Sequence, residues 1–271
     1  MSRHDANKQN YFSINTLRDF DMDPENLPNS PVSNVDFTIV IPFRNEEPSL
    51  RQLLPEIKLN IDAIKRSFEV IFVDDASSDN GANVIREFAR KDNRFSVSQL
   101  EEHGGQTEGF RRGFSLGKGN CFIRMDADLQ DNPDDLIKLL QKIDEGSELV
   151  IGVRDSRKHS LVLRILTNAY DAIVGLVVKT ELHSNSASLI AFKAEYVKEI
   201  PFVKNDHRYL PLIAIRRGAK SPSSVRVNHR TRQFGRSNYR ITQKLMFGLF
   251  EVGRFLWRYY RGYYDLSRRR K

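Results

Sequence analysis

The sequence predicts an α/β fold built on a doubly wound, mostly parallel sheet. Two observations carry that prediction. Continuous apolar runs of strand length alternate with segments whose apolar residues recur at helical spacing. Three of the runs end in acidic turns, Asn45-Glu46-Glu47, Asp74-Asp75 and Asp126-Ala127-Asp128. In an open α/β sheet ligands bind outside the carboxyl ends of strands, so a parallel topology gathers these turns on one rim.

The elements follow in order. Residues 1 to 35 are polar and punctuated by Pro24, Pro28 and Pro31, which predicts a flexible arm. Phe37 to Ile41 is a strand ended by Pro42, and Leu50, Leu53, Leu54, Ile57, Ile61 and Ile64 then mark a helix. Phe68 to Val73 is the second strand and Ala82 to Arg90 a helix. Phe95 to Leu100 is a weaker strand, and Gly104-Gly105 opens a loop into the helix carrying Phe110 and Phe114. The strand beginning at Cys121, a helix over Leu136 to Ile143 and a strand over Leu149 to Val153 complete the alternation. Beyond Arg154 the rhythm changes. Leu161 to Val178 reads as an amphipathic helix, Ser188 to Phe192 as a strand and Glu195 to Glu199 as a short helix. Tyr209 to Arg216 is helical and Ser224 to Asn228 a strand. A basic loop from His229 to Tyr239 precedes a long helix from Ile241 to Tyr260. The chain therefore divides into an arm (1–35), a main domain (36–240) and a basic amphipathic helix and tail (241–271).

The stretch Cys121-Phe-Ile-Arg-Met-Asp126-Ala-Asp128-Leu-Gln130-Asp-Asn-Pro133 organises the rest. It starts as a buried strand and breaks into two carboxylates and an amide at alternate positions. Asn132 suits a helix cap, Pro133 the first helical position, and Asp134 and Asp135 the positive end. Hard oxygen ligands on a short turn that leaves coordination positions open suit Mg²⁺ or Mn²⁺ shared with a phosphate. Neither Gly-x-Gly-x-x-Gly nor a Walker-type Gly-Lys-Ser/Thr occurs, which disfavours dinucleotide and P-loop chemistry.

Composition bounds the partners. The 271 residues carry 29% charged and 39% hydrophobic side chains and a formal charge of +8. Residues from Arg226 to Lys271 hold 13 Lys/Arg against Glu251 and Asp265. A basic end of that kind points to phosphate, nucleic acid or an anionic membrane surface. The single cysteine, Cys121, excludes an intramolecular disulfide framework and fits a reducing compartment. No uninterrupted apolar run approaches the about 18 residues of a spanning helix. In the last helix, Leu245, Leu249, Val252, Leu256, Tyr260 and Tyr263 form an apolar stripe beside Arg254, Arg258 and Arg261. Such a helix suits a bilayer interface.

Ile39-Val-Ile-Pro42-Phe-Arg-Asn45-Glu46, Val73-Asp74-Asp75-Ala-Ser-Ser-Asp79 and Met125-Asp126-Ala-Asp128-Leu-Gln130-Asp-Asn-Pro133 together resemble the inverting, GT-A fold glycosyltransferases of family 2. His207-Arg208-Tyr209-Leu210-Pro211 and His229-Arg-Thr-Arg232-Gln-Phe-Gly235-Arg-Ser237-Asn-Tyr239 are similar to its dolichyl- or polyprenyl-phosphate mannose or glucose synthase branch. The resemblance spans Phe37 to Tyr260. It implies a metal motif of Asp126, Asp128 and Gln130, with Asp128 and Gln130 as direct ligands and Asp126 supporting the metal or the ribose. It implies that Pro42, Arg44, Glu46, Val73, Asp74 and Asp75 hold the nucleotide. Arg154, Arg164, Arg232 and Ser237 fall near the sugar diphosphate or acceptor phosphate, with Asp126, Asp128 and Arg232 carrying catalysis. One segment departs from the pattern. Ser184-Asn-Ser-Ala-Ser188-Leu-Ile190 aligns with an Asp-x-Thr-Ser-Gly-Phe-Arg segment of the family, and the acid, the glycine and the arginine are missing.

The expectation is a Mg²⁺- or Mn²⁺-dependent transfer of a hexose from a GDP- or UDP-sugar to a polyprenyl or dolichyl phosphate. It places the protein peripherally on the cytoplasmic face of a membrane, with room for a membrane-embedded partner subunit. A soluble saccharide or other hydroxyl acceptor, and a nucleotide-sugar-binding protein without turnover, are the alternatives. A nucleic-acid module is disfavoured because the arginines and aromatics of Arg254 to Tyr264 lie on one helix rather than along a groove.

Overall fold

The computed structural model describes residues 35–154, 186–231 and 241–266. Its seven strands are β1 (Phe37–Phe43), β2 (Phe68–Asp74), β3 (Phe95–Gln99), β4 (Cys121–Arg124), β5 (Leu149–Arg154), β6 (Ser186–Lys193) and β7 (Ser223–Val227). They form one sheet in the order β3-β2-β1-β4-β6-β5-β7. All pairs are parallel except those of β6, which runs antiparallel to β4 and to β5. β1 lies between β2 and β4, so the strand order reverses at β1 and a crevice opens at its carboxyl end.

Helices α1 (Glu47–Ala63), α2 (Gly81–Ala89), α3 (Gln106–Leu116) and α4 (Leu136–Asp144) alternate with the first five strands. They are followed by α5 (Ala194–Val197), α6 (Leu210–Arg216) and α7 (Ile241–Tyr260). The strand and helix predictions hold to within a few residues. β1 continues through Pro42, and α1 begins three residues before its first periodic leucine. The segment Leu161 to Val178 lies outside the described residues, as do the arm and the loop 232–240.

The apolar residues of the sheet divide between two clusters. One joins α1, α2 and α4 to the sheet through Leu53, Ile57, Ile85 and Leu139. The other joins α3, α6 and α7 through Phe110, Phe114, Ile213 and Phe255. On that second side α3 lies unusually close to β1. A Cβ on Gly109 would sit 2.7 Å from Pro42 Cβ, and one on Gly113 would collide with Val40. The two glycines are one helical turn apart and present a flat face to the strand.

The last helix belongs to this core on one side. Val252, Phe255 and Tyr259 are buried, and the Phe255 ring stacks on Tyr209 with centroids 4.0 Å apart. Arg258 donates to buried Asp206 at 2.8 Å, and Tyr264 donates to the same carboxylate at 2.9 Å. Of the predicted stripe, Val252 is buried, Leu256 is half-buried and Tyr260 is 57% exposed, while Phe255 and Tyr259, outside the stripe, complete the buried line. The side chains of Leu245 and Leu249 lie outside the described residues.

Candidate active site

The central turn takes its form from alternation. Met125, Ala127 and Leu129 are buried, while Asp126, Asp128 and Gln130 between them are half-exposed on the opposite side. Leu129 adopts φ 63°, the left-handed conformation that lets the chain curl back so that Gln130 N–H reaches Asp128 Oδ1 at 3.1 Å. Asn132 Oδ1 accepts from Asp134 N–H and starts a turn of 3₁₀ helix at Pro133, as its sequence suggests. Asp126, Asp128 and Gln130 are brought together on the rim. They fit a hard divalent cation: every donor is an oxygen, and Asp126 Oδ1 is buried without a hydrogen-bond partner. With two carboxylates and one amide the turn is not a cluster of three acids, histidines or cysteines, and no such cluster occurs among the described residues.

Behind this turn sits Asp131, 3% exposed. It accepts from Asp126 N–H at 3.1 Å, and Arg154 lies 4.0 Å away. Burial first, and the Asp126 charge second, push its pKa well above the usual carboxylate range. Two arginines flank the pair. Arg124, at the end of β4, is 9% exposed and approaches Asp126 Oδ1 at 3.9 Å. Arg154, at the end of β5, is equally buried and donates to Ser188 Oγ at 3.3 Å. Arg154 thus stands at the carboxyl end of β5, beside Asp131 and Ser188.

The chain returns to this turn from a distance. Asp131 and His229 form an antiparallel bridge, and Arg230 N–H donates to the Gln130 carbonyl at 2.9 Å. The Arg230 guanidinium clamps Glu56 and Asn132, each at 2.6 Å. This contact brings the start of the basic loop beside the acidic turn. Arg164, Arg232 and Ser237 themselves lie outside the described residues.

The nucleotide-side expectations divide. Arg44 is exposed beside the crevice, and Glu46 accepts from Ser49 Oγ at 2.8 Å. Asp75 is buried, and its carboxylate takes N–H groups of Gly104 and Gly105 at 2.7 and 3.0 Å and meets His103 Nδ1 at 2.7 Å. It thereby ties the loop ahead of α3 to the end of β2. Asp74 is only 1% exposed and accepts from Ser77 N–H and Gln99 Nε2, so it braces its own turn. The side chains of Val73 and Pro42 are likewise buried, which leaves only their backbone for binding.

Sequence reasoning missed Arg124, Asp131, His207 and Arg230. One signal was available: an arginine inside the buried run Cys121-Phe-Ile-Arg is costly and needs a reason. His207 carries the reason in part. Its carbonyl accepts from Arg124 Nη1 at 2.6 Å, and its Nδ1 meets Thr107 Oγ1 at 2.7 Å. Burial, with Arg124 and Arg208 nearby, pulls its pKa down to about 3, so the ring is neutral.

A family model for "Glycosyl transferase family 2" matches residues 38–201. The chain belongs to that family. Two curated relatives are a dodecaprenyl-phosphate galacturonate synthase of Rhizobium johnstonii and an undecaprenyl-phosphate 4-deoxy-4-formamido-L-arabinose transferase of Edwardsiella ictaluri. The first is 27% identical over 79% of this chain, the second 28% over 74%. This chain spans 65% and 62% of their respective lengths. Among solved structures, glucosyl-3-phosphoglycerate synthase of Mycobacterium tuberculosis, with Mn²⁺, UDP-glucose and glycerol 3-phosphate, superposes with a TM-score of 0.58. It is 15% identical, and the match covers 85% of this chain and 79% of that one. Mannosyl-3-phosphoglycerate synthase of Rubrobacter xylanophilus gives 0.56 at 16% identity, over 87% and 74%. This family 2 chain thus shares the GT-A fold of these transferases.

Proposed function

We propose that this chain transfers a sugar from a nucleotide sugar to a polyprenyl phosphate at an anionic membrane surface. The observation that carries the reading is the rim at the β1/β4 crevice. Three oxygen donors there share one face, and two buried arginines flank the acids behind them. Two relatives named for prenyl-phosphate acceptors support the acceptor class.

Each group then has a task. Arg44 and Glu46 face the nucleotide, with Asp75 holding the loop ahead of α3 beside it. Asp126, Asp128 and Gln130 would hold Mg²⁺ or Mn²⁺, which supplies Lewis-acid stabilisation of the leaving nucleoside diphosphate. Arg154, with Arg164, Arg232 and Ser237, offsets like charge as two phosphate-bearing substrates approach. A lipid phosphate is already an anion near neutral pH, so attack needs no strong general base, and in-line displacement inverts the anomeric centre.

The outer face of α7 supports the membrane part. Phe250, Trp257 and Tyr260 are 66%, 62% and 57% exposed. Arg254 lies over the Phe250 ring and Arg261 over Trp257, at 5.7 and 5.5 Å. Beside them is an apolar groove of about 520 Å³ between Val203, Phe250 and Trp257. Aromatic rings at headgroup depth with guanidinium groups on lipid phosphates are the pattern of an interfacial helix.

The test incubates the protein with a panel of UDP- and GDP-sugars and either farnesyl phosphate or farnesol, reading product masses. A glycosylated farnesyl phosphate is expected, lost in EDTA and restored by Mn²⁺ or Mg²⁺. Asp128→Asn should lower turnover by about 100-fold, the scale of losing one electrostatic stabiliser. Transfer to farnesol alone would replace the acceptor assignment, and full activity in chelator would remove the metal.

A further inference from the structure

The antiparallel ladder between β4 and β6 pairs Arg124 directly with Ile190. Residues opposite one another in such a ladder place their side chains on the same face, within reach of the same ligand. Ile190 is the position at which the resembling segment carries an arginine. The adjacent strand therefore brings a guanidinium to the location from which one is missing in β6.

Arg124 is also short of partners for a buried cation. A guanidinium has five N–H donors. Among the described residues, Arg124 makes one hydrogen bond, to the His207 carbonyl, and stacks over Phe110 at 4.8 Å. Its approach to Asp126 at 3.9 Å is too long for a charge-assisted hydrogen bond, and its Nε is buried with no partner. Arg154 repeats the pattern on the far side of β6: 4.0 Å from Asp131, with a buried Nε lacking a partner. The sheet order β4-β6-β5 sets the two arginines on either side of Ile190 and Ser188, and both turn toward the Asp126–Asp131 pair. Such a set is completed by an anion.

We propose that Arg124, acting from β4 in place of position 190, is the specificity-determining residue for an anionic group, phosphate or carboxylate, at the sugar–acceptor end of the site. The assignment rests on the transfer reading for the identity of that site. Its test is binding, so the two can fail separately.

Calorimetric titration would compare two pairs of probes that differ by one anion, farnesyl phosphate against farnesol and UDP-glucuronate against UDP-glucose. The wild-type protein should prefer the charged member of at least one pair by 10-fold or more. Arg124→Ile should erase that preference, and Arg124→Ile with Ile190→Arg should restore most of it. Arg124→Lys, which keeps the buried charge but not the planar fork, should retain an intermediate preference. It also serves if the isoleucine variant does not fold. The pair that responds identifies the source, an acceptor phosphate or a sugar carboxylate. A wild-type protein with no preference, a folded Arg124→Ile that keeps it, or an Arg124→Lys equal to wild type overturns the proposal. Anion preference without turnover on any nucleotide sugar would leave Arg124 assigned and remove the transfer reading.

Discussion

His207 shows how a single residue couples the core to the site. Its imidazole meets Thr107, while its carbonyl holds Arg124 beside Asp126. An imidazole titrates near 6.5 when unfolded, and burial here pulls it down to about 3. The unfolded chain therefore binds the proton first as pH falls. The contribution of this residue to stability is complete above pH 6.5 and is lost progressively toward 3. Urea unfolding at pH 7 and pH 5 should show a loss on the order of 2 kcal/mol from this residue. His207→Gln should remove that part of the pH dependence. Equal pH slopes for the two proteins would mean that the ring is not held neutral. Cys121 is a contrasting case. Burial pushes its thiol up to about 11, which leaves it an inert core residue rather than a nucleophile.

At the level of elements, the crevice depends on how closely α3 can approach β1. Gly113 packs on Val40 and Gly109 on Pro42, and this contact holds the α3 N-terminus, with its Gly104–Gly105 loop, against Asp75. Gly113→Ala should destabilise the protein by about 1–3 kcal/mol through overpacking, although alanine is the better helix former. Gly253 in α7 offers the opposite case. A Cβ there meets nothing within 4 Å, so Gly253→Ala should be neutral or stabilising by up to about 1 kcal/mol. Thermal melts of both variants check the pair, and similar shifts would contradict the close-packing argument.

For the molecule as a whole, α7 has two loyalties. Its inner face joins the core through Val252, Phe255 and Tyr259, and Arg258 neutralises Asp206, which is fully buried. Its outer face presents Trp257, Phe250 and Tyr260 beside Arg254 and Arg261. The membrane role is therefore best tested by surface substitution rather than truncation, since truncation would strand Asp206 and open the core. Wild-type protein should float with anionic liposomes, bind neutral ones poorly and be partly released by high salt. Each basic residue near such a surface contributes roughly 1 kcal/mol. Trp257→Ser combined with Arg254→Ser and Arg261→Ser should abolish flotation with an unchanged melting temperature. Undiminished flotation of that variant would move the contact elsewhere.

The order of strands and helices was legible because each apolar run is either continuous or spaced at a helical period, and both patterns are local. The Asp126, Asp128 and Gln130 face was legible for the same reason, since alternation along one short turn decides which side chains point outward. What the sequence could not reveal depends on pairing between distant segments. Asp74 and Asp75 are adjacent carboxylates, yet one braces its turn through Gln99 and the other holds the loop at Gly104. Which face of α7 is buried was decided by Tyr209 and Asp206, about forty to fifty residues upstream. Arg124 passed unnoticed inside an apolar run, and only the register of β4 on β6 sets it opposite Ile190. Periodicity is a property of one segment. The partner of a buried charge, and the neighbour across a sheet, exist only once the chain has closed.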